Sequence, residues 1–169
     1  MTARAVKDLM DSLPGTGRIV WLGLRTQKRG AITHAQSFVV SPEDGIDGDH
    51  YQARSRKRQI TLVQSEHLEV IANFVGQSII RPEQLRRNAV VSGINLLALA
   101  KRRFRVGTVE LQGTGHCHPC SRMEETFGAG GYNAVRGHGG ITARILSAGT
   151  IHLGDQVAVV NEVQAVPVS

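Results

Sequence analysis

A mainly β protein with few helices, its strands curled into a small closed or nearly closed barrel, is predicted by three features of the sequence. Short runs rich in β-branched and aliphatic residues alternate with Gly, Pro and Asp punctuation. Two of these runs meet a Gly-centred corner, and in one the apolar phase visibly changes there, as it does in sharply bent strands. Only one segment carries a full helical stripe.

Taken in order, residues 18–24, 36–40 and 57–63 read as strands. Ser65 is placed to cap a helix over 66–75, with Leu68, Ile71, Phe74 and Val75 on one face and Gly76 as its stop. Residues 81–85 read as one helical turn leading into a short strand over 88–91, and 95–100 as another short helix. In 103–111 the apolar positions pass from even (Phe104, Val106) to odd (Val109, Leu111) across Gly107-Thr108, which predicts a bulge or a tight corner. Leu153-Gly154-Asp155 makes a similar corner within 150–159, and 161–169 is expected to fray. No linker divides the chain, so its 169 residues are expected to form one domain, 1–169.

Hydrophobic and charged contents of 41% and 20% match a soluble globular protein. No apolar run approaches the roughly 20 residues of a membrane span. The first ten residues hold Lys7 and Asp8 without an apolar core, so no signal peptide is expected and a cytoplasmic location is. The formal charge is +6, and all but four of the 20 basic residues are arginine, the better side chain for bidentate contact with phosphate or carboxylate. Aromatic residues are 4% and do not interleave with the arginines, so a single-stranded nucleic acid has no stacking platform. Nucleic acid is therefore not an expected partner; a phosphorylated small molecule or cofactor is.

The only two cysteines stand three apart in His116-Cys117-His118-Pro119-Cys120-Ser121-Arg122, and the active centre is expected there. Thiolate is the form of cysteine that attacks and binds soft metals, and adjacent cations favour it. A thioredoxin-like role would need an early βαβ unit, and a structural zinc four ligands, usually in two pairs. A disulfide scaffold needs more cysteines and an oxidising compartment. The readings left open are a reactive thiolate, or a single thiolate ligand to a metal that arrives with other ligands of its own. Asp47-Gly48-Asp49-His50 is a turn with two carboxylates and an imidazole, lacking the spacing of a calcium loop. Arg86-Arg87-Asn88 offers two guanidinium forks and an amide for a phosphate or a polar heterocycle. The Gly-rich stretches 128–131 and 137–140 match no nucleotide-binding pattern.

In order, Gly45-Ile46-Asp47-Gly48-Asp49-His50, Arg58-Gln59-Ile60-Thr61-Leu62-Val63, Leu85-Arg86-Arg87-Asn88, Cys117-His118-Pro119-Cys120, Gly137-His138-Gly139-Gly140 and Gly149-Thr150-Ile151-His152-Leu153-Gly154-Asp155 resemble one family. The chain is similar, over about 20–160, to a stand-alone MOSC domain. This module also occurs at the C-terminus of molybdenum cofactor sulfurases and in amidoxime-reducing enzymes. The resemblance implies a strongly bent, pyruvate-kinase-like β-barrel and a cofactor of molybdopterin type. It implies Cys120 as thiolate ligand to molybdenum. Arg86 and Asn88 match cofactor-contacting positions, Ser65 a region near the cofactor phosphate, and His118 the loop that cups the metal. Cys117 and Arg122 accompany them as cofactor-side residues, and His50, His116 and His118 are the available proton donors beside Cys120.

The activity implied is reduction of N-hydroxylated compounds, with electrons from a separate reductase, since two cysteines cannot hold a usual iron–sulfur cluster. The alternative is a sulfur carrier bearing a persulfide on Cys120, charged by a sulfur donor such as a cysteine desulfurase and resolved by Cys117.

Overall fold

The computed structural model describes residues 5–51 and 55–161. Strands β1 (Gly17–Leu24), β2 (Thr33–His34), β3 (Ser37–Ser41), β4 (Gly45–Ile46) and β5 (Ile60–Gln64) come first, after a short helix α1 (Val6–Met10). Then follow α2 (Ser65–Val75), α3 (Pro82–Leu85), β6 (Ala89–Ser92) and a 3-10 turn over Leu96–Leu99. The second half holds β7 (Arg103–Val106), β8 (Val109–His116), α4 (Ser121–Phe127), α5 (Gly131–Val135), β9 (Ile141–Ile145), β10 (Gly149–His152) and β11 (Gln156–Val159).

The pairing order β11-β7-β8-β9-β5-β6-β1 closes on itself through β1–β11, giving a seven-stranded barrel. All its pairs are antiparallel except β5–β6, whose parallel register requires the crossover that α2 and α3 supply. Strands β10, β3 and β4 form a small sheet of their own. Alternation sends Ile19, Leu62, Val91, Phe104, Leu111, Ile141 and Val157 into one cluster, joined by Phe38, Val40 and Ile151 of the small sheet. A second cluster lies on the other side of β5 and β6, where Val63 and Val90 meet Ile71, Leu85, Met123 and Val135 of the helices. Strand β5 is therefore buried along its whole length, with Ile60 and Leu62 in the first cluster, Val63 in the second, and Thr61 and Gln64 as buried polar residues.

Several expectations are adjusted. Residues 103–111 form a hairpin rather than a bulged strand: β7 and β8 pair with Val106 opposite Val109. A two-residue reversal puts even positions of one strand and odd positions of the next on the same face, which accounts for the phase change. The 153–155 corner moves the chain from the small sheet to the barrel, with Asp155 Oδ2 accepting from His152 N at 2.7 Å. Helix α2 starts at Ser65 itself, Gln64 is its N-cap, and no side chain caps it. The strand runs straight into the helix there, and the Gln64 side chain instead accepts from Leu96 N. Gly76 ends α2 in the left-handed conformation, φ 71°. Phe74 is 62% exposed, because it lies roughly 110° round the helix from the stripe centred on Leu68, Ile71, Ala72 and Val75. Helices α4 and α5 were not expected. The 162–169 tail lies outside the described residues. No helix among the described residues is long and apolar enough to cross a membrane.

Candidate functional site

Four separate segments converge on one groove of about 270 Å³. The loop after β1 brings Arg25, Lys28 and Arg29, and the segment between β4 and β5 brings His50 and Arg58. The turn after α3 brings Leu85, Arg86 and Arg87, and the first turn of α4 brings Cys120, Arg122 and Met123. Seven of these side chains are cationic and none is a carboxylate.

Cys120 is exposed and stands at the N-cap of α4, while Cys117, in the same loop, is 2% exposed; both are free thiols. The loop is fixed from below by Arg87, itself 5% exposed, whose Nη1 donates to Leu85 O at 2.7 Å. Its Nε donates to Gly139 O at 2.8 Å and its Nη2 to Cys117 O at 3.4 Å. Arg58 Nη2 lies 3.5 Å from Cys117 Sγ, and Cys117 N donates to Gly140 O at 2.8 Å. Side chains at the two glycines would destroy this seat. A Cβ at Gly139 would stand 2.3 Å from Cys117 O, and one at Gly140, where φ is +86°, 1.8 Å from Leu62 O.

Arg86 takes the left-handed conformation at the end of α3, φ 58°, an uncommon one for a residue with a Cβ. That turn sends consecutive arginines in different directions. Arg86 points to the groove, where Nη1 donates to Gly30 O at 3.1 Å, and Arg87 goes into the interior. Asn88 is 3% exposed and lies outside the groove lining. Its Oδ1 accepts from Thr61 N and Thr61 Oγ1, both at 3.0 Å, and its Nδ2 donates to Asp49 Oδ2 at 2.9 Å. Asp49 Oδ1 in turn lies 3.6 Å from His50 Nδ1, so Asn88 supports the groove through the carboxylate behind His50.

The electrostatics are those of an anion site. Arg25, Arg86 and Arg87 all have pKa values lowered from the ordinary value, with burial as the largest cause in each. Neighbouring guanidinium groups add to it: Arg58 and Arg122 on Arg25, Arg122 and Arg25 on Arg86, Arg58 and Arg25 on Arg87. Arginine stays protonated regardless, so an anion in the groove would offset the cost of holding these partly buried charges close together. Arg25 Nε is buried with no hydrogen-bond partner among the described residues.

Of the residues expected at the site, Cys120, Arg86, Arg122 and His50 meet in the groove. His118 is exposed and, with His116 and Cys117, lines a different cavity. Ser65 is outside the groove lining, its Oγ 3.4 Å from Glu66 Oε2. Sequence reasoning overlooked Arg25, Lys28 and Arg29 as site residues and gave no role to Arg58, and it offered Arg87 as a second fork for a phosphate where the structure buries it on three backbone carbonyls. The basic density of Arg25-Thr26-Gln27-Lys28-Arg29 was the available signal.

A MOSC domain family model matches residues 47–158, and the chain belongs to that family. MOSC domains are associated with binding of the molybdenum cofactor. Among solved structures, the chain is similar to the YuaD protein of Bacillus subtilis, with a TM-score of 0.75 at 22% identity, over 88% of this chain and 98% of that one. It is also similar to YiiM from Geobacillus stearothermophilus, with a TM-score of 0.69 at 18% identity, over 86% and 75% of the two chains. YiiM from Escherichia coli gives 0.66 at 16%, over 88% and 72%. At these identities the likeness is one of fold. No curated protein matches the sequence.

The groove suits a cofactor of this kind on its own chemistry. It presents one exposed soft donor beside many cations, as a multiply anionic, phosphate-bearing group with a metal would require. Among the described residues no three His, Cys, Asp or Glu side chains converge to hold a metal. A metal at Cys120 would therefore bring most of its ligands with it.

Proposed function

We propose that the protein binds a molybdopterin-type cofactor in the cationic groove, with Cys120 as thiolate ligand to molybdenum, and reduces N-hydroxylated compounds to amines. The observation that carries this reading is the meeting of seven cationic side chains and one exposed thiol, with no carboxylate in the lining. Arg25, Arg58, Arg86 and Arg122 would hold the anionic phosphate and pterin, with Lys28 and Arg29 closing the outer edge. Arg87 acts indirectly, by fixing the carbonyls of Leu85, Cys117 and Gly139 that shape the thiol loop. The bound group supplies the two-electron couple that the reaction needs. Converting an N-hydroxyl to an amine consumes two electrons and two protons and releases water. His50, the imidazole in the groove lining, carries protons, with the Asp49 carboxylate 3.6 Å from its Nδ1. The electrons come from a separate reductase.

Elemental and pterin analysis of protein made in a molybdenum-replete host tests this. Near-stoichiometric molybdenum and pterin are expected in the wild type. Cys120→Ser should lose the metal, and the double variant Arg58→Glu/Arg122→Glu should lose the pterin. Absence of molybdenum from all three, with a control molybdoenzyme from the same host fully loaded, would overturn the cofactor reading. The exposed Cys120 three residues from buried Cys117 would then favour the persulfide carrier, visible as a reductant-sensitive mass increase of about one sulfur atom.

A further inference from the structure

The thiol loop borders a second cavity that the cofactor reading leaves unused. It encloses about 320 Å³ and is lined by Leu97, His116, Cys117, His118, Arg136 and the glycines 137, 139 and 140. It shares no lining residue with the cationic groove; Cys117 belongs to one and Cys120 to the other. Arg58 and Arg87, both in the groove lining, contact Cys117 and so form the partition between the two.

The chemistry of this cavity is distinct. Its volume is at the lower end for small-molecule sites. Its floor is bare backbone at three glycines, and Leu97, 45% exposed, forms an apolar side. Such surfaces admit a flat ring in close contact. Its polar groups are one guanidinium and two imidazoles, and no acidic residue lines it. Arg136 is exposed and makes no ion pair or side-chain hydrogen bond among the described residues. The His116 and His118 rings lie 6.2 Å apart, tilted by 57°, with no hydrogen bond between them. An imidazole N–H donates in either protonation state, and the guanidinium fork matches a carboxylate.

We propose that this cavity is a binding site for a flat aromatic or heteroaromatic carboxylate, its ring against Leu97 and the glycine floor and its carboxylate on Arg136, with His116 and His118 as further donors. The site stands independently of cofactor binding, because none of these residues lines the groove.

Backbone amide NMR titration of the full chain with benzoate, beside its neutral isostere benzamide and inorganic phosphate, tests it. Benzoate is expected to perturb amides of Leu97, His116–His118 and Arg136–Gly140 saturably, with benzamide and phosphate at least about fivefold weaker. Arg136→Gln should weaken benzoate by roughly five- to tenfold, the loss expected for a charge-assisted bond at a half-open site. Because Arg136 is exposed and unpaired, this variant folds normally, and its spectrum verifies that. Leu97→Asp, also at an exposed position, should abolish binding by placing a like charge at the apolar wall. Equal affinity for benzoate and benzamide would overturn the proposal, as would undiminished binding by Arg136→Gln. So would perturbations confined to Arg25, Arg58 and Arg122, which would show only a general anion effect in the groove.

Discussion

Asn88→Ala is predicted to be among the most destabilising single changes outside the apolar clusters, although Asn88 contacts no ligand surface. Its side chain joins three parts of the fold: Thr61 on β5, Asp49 after β4 and, at 3.4 Å, Gly23 O on β1. Truncation leaves Thr61 N without its acceptor in a position 1% exposed, which costs about 1–3 kcal/mol. The Thr61 hydroxyl loses the acceptor for its O–H as well, though its oxygen still accepts from Asn88 N at 3.1 Å. The charge-assisted bond to Asp49 contributes about 1.5–3 kcal/mol. That figure belongs at its lower end, because Asp49 still accepts from Tyr51 N at 3.0 Å and Arg25 N at 3.4 Å. Together these give about 3–4 kcal/mol, or roughly 6–15 °C in Tm for a chain of this length. Urea and thermal unfolding read it directly. Asn88→Asp separates hydrogen bonding from packing, because it keeps the shape but sets a carboxylate oxygen 2.9 Å from Asp49 Oδ2 in place of an N–H. Repulsion between the two would raise a carboxyl pKa in the folded state, so this variant should gain relative to wild type as pH falls. A stability for Asn88→Ala within about 1 kcal/mol of wild type would refute the reasoning, as would an Asn88→Asp deficit that ignores pH.

Two further outcomes follow from the same geometry. Thiol reagents should modify Cys120 at least about tenfold faster than Cys117 in the native protein, because Cys117 is 2% exposed and reacts through local opening; equal rates, followed by mass spectrometry, would contradict the loop conformation. The Glu124 carboxylate accepts from Tyr132 N and Gly130 N at 2.8 and 2.7 Å, and these bonds lower its pKa from the ordinary value. A depressed carboxyl pKa gives stability that is present above the unfolded-state value and lost as pH falls through the folded one. Wild type should therefore melt above Glu124→Gln at neutral pH, with the gap closing in acid.

The barrel was legible because its signals are local. Period-two alternation and Gly corners mark strands wherever they pair, and even the even-to-odd phase change in 103–111 located a reversal correctly while mistaking its kind. Helices α4 and α5 were not legible, because Gly128, Gly130 and Gly131 around them read as loop. The pair Met123 and Phe127, spaced for one helix face, was the overlooked sign. The site was legible where the chemistry is unusual, at Cys120, and illegible where it is common. Sixteen arginines look alike in sequence, and which of them meet depends on barrel closure between segments as distant as Arg25 and Arg122. The same limit applies to Arg86-Arg87-Asn88: one left-handed residue divides three adjacent polar side chains between groove, partition and core.

That division explains how a strongly positive groove coexists with a stable interior. A buried arginine usually needs a carboxylate, and a carboxylate here would have cancelled the field at the thiol. Arg87 instead satisfies its N–H groups on three neutral carbonyls, those of Leu85, Gly139 and Cys117. Its hydrogen bonds hold the thiol loop, while its charge remains available to the groove. Asp49, the one nearby buried carboxylate, is turned toward Asn88, two backbone amides and His50. The acid therefore accepts its hydrogen bonds from Asn88 and the backbone, lies 3.6 Å from the His50 ring, and is absent from the groove lining. Separating charge from hydrogen-bond satisfaction in this way lets the fold present an anion site beside an exposed thiol without first filling it with an anion of its own.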